Sequence, residues 1–388
     1  MTHLTRVSSW LAGSALLLSS GSAWAVDAQP FADHLKSVLA KQNLTLTYDG
    51  ASERGDDVVL SGVEIAAEGE DTDIGELVFS NVAGSPDEGY TVGSLEKDFG
   101  EDDWAVKGLQ LTNLKIAGTQ EKPDDAPMAD IYFDRLQVAE INTSGDEDEP
   151  SVLLKDLDLQ NTSSDAGLID ADLNLASFDI AIPEKKDESG RPTLRDLGYE
   201  HFTGSVSGKA KWVKDSGEIT LQPLTVTADD AGKLDFSFRM LGYTPSFIES
   251  ASKIQQQMMS KPEGAQAAGM ALMGLLAQLQ LGQVDLSYVD DSLADKMLDF
   301  YAEKSGQPRD AYVTTLVGSL SQMLAGLQNP QFQQQVETAV KTFLEDPQSI
   351  RIAIEPDQPI VATQIMGAAM AAPQTLPDVL AVKVTANQ

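Results

Sequence analysis

The chain contains no cysteine among its 388 residues. That excludes disulfides, thiol catalysis, cysteine-attached haem and cysteine-type zinc sites. Aromatic residues make up only 6%, and there are three histidines, His3, His34 and His201. Basic residues are scarce too: 27 Lys and Arg stand against 60 Asp and Glu, giving a net charge of −33. Such a charge repels nucleic acid and anionic head groups while favouring solubility. Nucleic acid is therefore not an expected partner, and divalent cations are the ions this surface would attract. No segment reaches the ~18 uninterrupted apolar residues of a membrane-spanning helix, so no transmembrane segment is expected once the leader is removed.

Sequence signatures of catalysis are missing as well. There is no HExxH, phosphate-binding loop, GxGxxG or GxSxG; the run Gly204–Gly208 has Val206 at its centre. Ser94–Lys97 and Ser250–Lys253 match SxxK spacing but lack the SDN and KTG partners. His34 and His201 have no local set of metal-ligand spacing. Asp170, Asp172 and Asn174 open like a calcium loop, but the sixth-position glycine and the closing glutamate are missing. The acidic cluster Asp146–Glu149 reads as a solvated loop. No catalytic residue, metal site or cofactor is expected, and the chain reads as a non-enzyme.

What is present begins with an export leader, residues 1–25. His3 and Arg6 precede the apolar run Trp10–Leu18, which is too short to cross a bilayer, and Ala23-Trp24-Ala25 places small residues at −3 and −1 of a cleavage site. Cleavage after Ala25 predicts a periplasmic mature protein starting at Val26. A helix is expected over 26–43, with Phe31, Leu35, Val38 and Leu39 on one face.

From Leu44 the period becomes that of strands, and an eight-residue pattern recurs: apolar-x-apolar, two polar or small residues, apolar-x-apolar. Copies lie at 58–65, 77–84, 90–97, 109–116, 131–138, 152–159, 173–180 and 219–226. Starts at 109, 131, 152 and 173 are nearly evenly spaced, which signals repeated supersecondary units. The two apolar pairs of each copy have opposite parity, and side chains alternate faces along a strand. A bulge at the two middle residues restores the phase; a tight hairpin between three-residue strands is the alternative. This β region is expected to run over 44–243.

Beyond it, 244–388 reads as a helical region with terminal strands. Helices are expected at 245–260, 263–281 (Ala, Met, Leu and Gln-rich), 292–305 with Ser292 as N-cap, 308–328, 330–345 and 360–372. Strands are expected at 349–355 and 378–386. The fold class is α+β, mainly β: a repetitive bent antiparallel sheet packed on a C-terminal helical region.

Segments such as GLQLTNLKI, KDLDLQN and SGEITLQPLTVTADDAGKLDFSFRMLGY resemble the AsmA-like envelope proteins, over about 58–241. Those proteins are similar to the bridge-like lipid-transfer group, with meanders of bent strands that form an apolar groove. The stretches DDSLADKMLDFYAEKSG and FLEDPQSIRIAIEPDQP resemble uncharacterised periplasmic proteins of proteobacteria. The chain departs from the AsmA-like pattern in lacking an N-terminal membrane anchor and in its short repeat region. The resemblance implies an apolar groove, with phospholipid or fatty acid as the partner.

Two functions are therefore expected as alternatives. One is a periplasmic lipid- or hydrophobe-binding protein, a carrier or envelope-homeostasis factor. The other is a non-catalytic structural or protein-interaction module of the envelope with a closed core. For the first, the expected lipid-contacting residues are Leu109, Leu111, Leu114, Ile116, Val138, Leu157, Leu159, Met270 and Met273.

Overall fold

Asp27 sets the first helix: its side chain accepts from the Gln29 amide at the N-cap, as short polar residues do there. The computed structural model describes residues 26–67, 70–120, 130–145, 149–164, 167–184, 192–260 and 265–388. The expected leader at 1–25 lies outside them, as do Asp146–Asp148 of the acidic cluster.

In chain order the elements are α1 (Ala28–Lys41), β1 (Leu44–Thr47), β2 (Gly50–Arg54), β3 (Asp57–Ala67), β4 (Glu70–Ser85), β5 (Gly89–Glu101), β6 (Trp104–Ala117), β7 (Ile131–Tyr132), β8 (Arg135–Thr143), β9 (Ser151–Ser164), β10 (Leu168–Ala181), β11 (His201–Val213), β12 (Glu218–Ala228) and β13 (Gly232–Leu241). Then come α2 (Pro245–Ser260), α3 (Ala265–Leu276), β14 (Gln280–Asp290), α4 (Leu293–Ser305), α5 (Arg309–Ala325), α6 (Pro330–Glu345), β15 (Ser349–Ile354), β16 (Ile360–Val361), α7 (Ala362–Ala371), α8 (Leu376–Val379) and β17 (Val382–Ala386). The fold is mainly-β α+β: its strands belong to one antiparallel sheet, and most of its helices are C-terminal.

The chain divides into two compact units. The first holds residues to Leu95 with Leu114–Glu121 and Asp130–Tyr132; the second holds Glu96–Asn113 and Phe133–Gln388. In the first unit α1 buries Phe31, Leu35 and Val38. Phe31 meets the rings of Phe79 and Tyr90 edge-on, with centroids 5.1 Å away in each case. Leu46, Val58, Leu60, Val63 and Val92 complete this core. His34 is buried in it, with Nε2 2.6 Å from the Ala117 carbonyl oxygen, so its role is structural.

In the second unit the strands form a meander: β8 pairs β9, and the order continues through β10, β11, β12, β13, β14 and β15 to β17, every pair antiparallel. The repeat explains part of the register. Its pattern reads the same in both directions, so an antiparallel neighbour superposes on it. Copy 152–159 meets copy 173–180 in this way, matching Val152 with Ile180, Leu154 with Phe178, Leu157 with Leu175 and Leu159 with Leu173.

Bulges reset the parity as expected, in two forms. The ladder shifts between Leu60 and Val63, between Leu175 and Phe178, and between Leu221 and Leu224. The second form is a left-handed residue at the fifth position of a copy: Gly62, Asn81, Asn113 and Asp156 all have φ between 52° and 57°. Gly, Asn and Asp are the residues that tolerate this region.

Several elements differ from the sequence expectation. Copy 131–138 is broken at Phe133-Asp134 into β7 and β8. The expected helix 263–281 ends at Leu276, and Gln280 begins β14 between β13 and β15. Its alternating Val284, Leu286 and Tyr288 satisfy a strand, not a helix face. Ser292 does not cap α4 with its side chain; Asp290 accepts from the amides of Ser292 and Ala294 instead. Of the strand expected at 378–386, only Val382–Ala386 is extended, because Leu376–Val379 is helical.

Candidate functional site

The second unit's sheet is amphipathic, and its registers show this row by row. One row reads Val138, Leu157, Leu175, Val206, Val226, Leu234, Tyr288, Ile350 and Ala386, each paired with the next across neighbouring strands. The row one residue away reads Gln137, Asp158, Asn174, Ser207, Thr225, Asp235, Ser287, Arg351 and Thr385, and Gln110 of β6 extends it. Adjacent residues of a strand point to opposite faces. The sheet therefore carries an apolar face and a polar face.

The apolar face has further rows. Leu111 pairs Leu136, which pairs Leu159, which pairs Leu173. Leu224 pairs Phe236, which pairs Leu286, Ile352 and then Val384. The polar face is held by cross-strand ion pairs: Arg135 with Asp158 through two bonds of 2.8 and 2.7 Å, Lys107 with Glu140 at 2.8 Å, and Arg239 with Glu218 at 2.7 Å. The Arg135 guanidinium holds the Asp158 carboxyl below its usual range.

Cover on the apolar face is uneven. Over Leu175, Val206 and Val226 lies a cluster built from Leu197 and Tyr199, with Leu293 and Phe300 of α4 packed in. Over Val384 lie Val336 and Ala339 of α6, and Phe343 of α6 meets Tyr288 at 6.3 Å. Between these covers the face stays partly open: Leu234, Leu286 and Ile352 are 40%, 37% and 42% exposed. Leu136, Leu159 and Leu173 are half-buried.

The nine expected lipid-contacting residues separate. Leu114 and Ile116 are buried core of the first unit. Leu111, Val138, Leu157 and Leu159 belong to the apolar rows of the second, where Val138 is buried and the others are half-buried. Leu109 of β6 is half-buried as well. Met270 and Met273 project from α3 and are 68% and 44% exposed. Sequence reasoning missed Leu234, Leu286 and Ile352, the most open part of the face, and the half-buried Phe236 beside them. The alternation in 234–238, 284–288 and 350–354 was the available signal.

Polar candidates are simpler. His201 Nδ1 lies 2.7 Å from Asp179 Oδ1, both at the surface. Asp179 lines a cavity of about 370 Å³ with Lys155, Thr203 and Asp229. Among the described residues, no hydroxyl is bonded to the His201 ring, and no group of three or more His, Asp or Glu is placed to hold a metal ion. Asp172 of the calcium-like run is bonded to Lys209 across the ladder. No described helix is long and apolar enough to cross a membrane.

These elements define a mainly-β α+β protein with an amphipathic antiparallel sheet. A family model described as "Uncharacterized protein" matches residues 225–387, from the second half of β12 through β17. Comparison with curated proteins gives no match.

Proposed function

We propose that this chain is an exported envelope protein that binds phospholipid or fatty acid chains on the apolar face of its sheet, as a carrier or envelope-homeostasis factor without catalytic activity. The observation that carries the reading is the open strip at Leu234, Leu286 and Ile352, beside Phe236 and Phe238. An antiparallel sheet commonly buries one face and wets the other; here the apolar face is neither fully buried nor polar. Burying about ten acyl methylenes there would contribute roughly 8 kcal/mol before ordering costs. The net charge of −33 gives no basis for attracting an anionic head group, so selectivity rests on the tails. The leader at 1–25 supports a periplasmic setting.

A second reading, a structural or protein-interaction module with a closed core, is favoured by the cover over Leu175, Val206 and Val226. Titration of the mature protein with a fluorescent fatty acid separates the two. The lipid reading expects saturable binding that is lost in Leu286→Gln/Ile352→Gln with little change in thermal midpoint. Binding unchanged in that variant places the ligand elsewhere, and absence of binding supports the module.

A further inference from the structure

β9, β10 and β11 shape the cavity of about 370 Å³ on the polar face of the second unit's sheet. A bulge in β10 lies at its centre. Leu175 pairs Val206 and Phe178 pairs Gly204, so Ala176 and Ser177 both stand against Ser205 of β11. A bulge interrupts the ladder and re-aims the side chains beside it. The volume falls in the range of small-molecule sites.

Two rows of polar side chains line this cavity. The first holds Lys155 of β9, its ladder partner Ser177, and Ser205 beyond them. The second holds Asp179, its ladder partner Thr203, and Asp229 just after β12. On β9 the partners of Ser177 and Asp179 are Lys155 and Leu153, two positions apart. The rows therefore lie roughly 7 Å apart along the strands.

The first row carries a cation without a counter-ion. Among the described residues Lys155 is in no ion pair. Glu140, opposite it on β8, accepts from Lys107 at 2.8 Å and from Asn142 at 2.9 Å instead. The second row carries two carboxylates with acceptor capacity to spare. Asp179 Oδ1 meets the His201 ring at 2.7 Å, and Asp229 Oδ2 accepts from the Thr203 hydroxyl at 2.7 Å. A carboxylate has about four lone-pair sites, so each keeps an oxygen for a further donor.

We propose that this cavity binds the zwitterion of a dipeptide, with its carboxylate on Lys155, Ser177 and Ser205 and its ammonium on Asp179 and Asp229. An anion alone meets Lys155 but also two carboxylates of its own sign, and a cation alone meets the opposed ammonium. A ligand carrying both charges satisfies both rows. The span selects its length. Two extended residues reach at most about 7 Å, the separation of the rows, whereas the charges of a free amino acid flank a single carbon. The site lies on the face opposite the open apolar strip and stands independently of the lipid reading.

The test is calorimetric titration of the full mature chain with alanyl-alanine, with its N-acetylated form and with its C-amidated form. Lys155→Gln and Asp229→Asn each remove one charge from an exposed position, so both variants should keep the thermal midpoint of the parent. The expected result is saturable binding of alanyl-alanine that either blocking group weakens roughly 10-fold, the loss of one charge-assisted contact. Lys155→Gln should weaken alanyl-alanine by a similar factor and leave the amidated form unchanged. Asp229→Asn should weaken alanyl-alanine and leave the acetylated form unchanged. No binding of alanyl-alanine overturns the proposal. So does an acetylated or amidated form that binds as tightly as the free dipeptide, or a dipeptide that binds both variants as tightly as the parent.

Discussion

Leu60 and Val63, three positions apart on β3, are both at 0% exposure, and the residue before Val63, Gly62, has φ of +57°. In a regular strand two residues at odd spacing point to opposite faces. The left-handed glycine turns Val63 back into the core, and the pairing with β4 shifts at that point. Gly62→Ala should therefore destabilise the protein. Its Cβ would stand 2.2 Å from Asp49 Oδ2, and left-handed backbone alone costs a non-glycine residue roughly 1–2 kcal/mol. Urea denaturation checks it; an unchanged midpoint would mean that the reset does not depend on glycine.

The same motif in β6 makes a paired prediction. Leu111 is half-buried, Leu114 is buried, and Asn113 before Leu114 is left-handed. Leu111→Asp and Leu114→Asp should both lower the thermal midpoint, each by the equivalent of roughly 2–5 kcal/mol, since a side chain is lost from packing and a carboxylate replaces it. Leu114→Asp should be the worse of the two. If one substitution is silent, the strand lacks the reset.

Tyr199 fastens the covered part of the apolar face. Its hydroxyl donates to the Asp230 carbonyl at 2.7 Å, and Ser292 Oγ donates to that same carbonyl at 2.6 Å. Tyr199→Phe should cost about 0.5–1.5 kcal/mol, toward the lower end because the carbonyl keeps a donor. Loss of several kcal/mol would show that the ring position, not the hydrogen bond, is what the substitution disturbs.

The polar face predicts acid sensitivity. Glu355 is held below its usual range by Lys383 at 2.9 Å and then Arg351 at 2.7 Å. A depressed carboxylate contributes stability above its unfolded value, about 4.3, and that contribution is lost as pH falls through the folded value. Glu355→Gln should thus be less stable than the parent at neutral pH by under about 1 kcal/mol, because the partners are largely exposed. The gap should close on acidification below pH ~4. A gap that widens toward acid pH would reverse the sign of the coupling.

Much of this fold is legible in the residues themselves. The palindromic pattern of 152–159 and 173–180 announces two bulged strands, and Leu157 with Leu175 pair as that pattern requires. α6 begins at Pro330, where the helix expected at 330–345 starts, and the structure adds Asn329 as its cap, accepting from the Phe332 amide. β14 was hidden because the Ala, Met and Leu run that forms α3 continues into Leu279 and Leu281 without a breaking residue. The break at Phe133-Asp134 was hidden because the copy 131–138 keeps its apolar spacing across it, and the pieces on either side, β7 and β8, both pair with β6. The candidate face was half legible. Leu111, Leu157 and Leu159 belong to the repeat, but Leu286 and Ile352 lie outside it and join the face only through long-range pairing.

The lipid reading meets its most direct test in native mass spectrometry of the mature protein purified from the periplasm without detergent. A species heavier than the polypeptide by the mass of a phospholipid or fatty acid, with mixed head groups and loss of the adduct in Leu286→Gln/Ile352→Gln, is the expected result. A lipid-free spectrum, together with no uptake of labelled phospholipid by the folded protein, would contradict it.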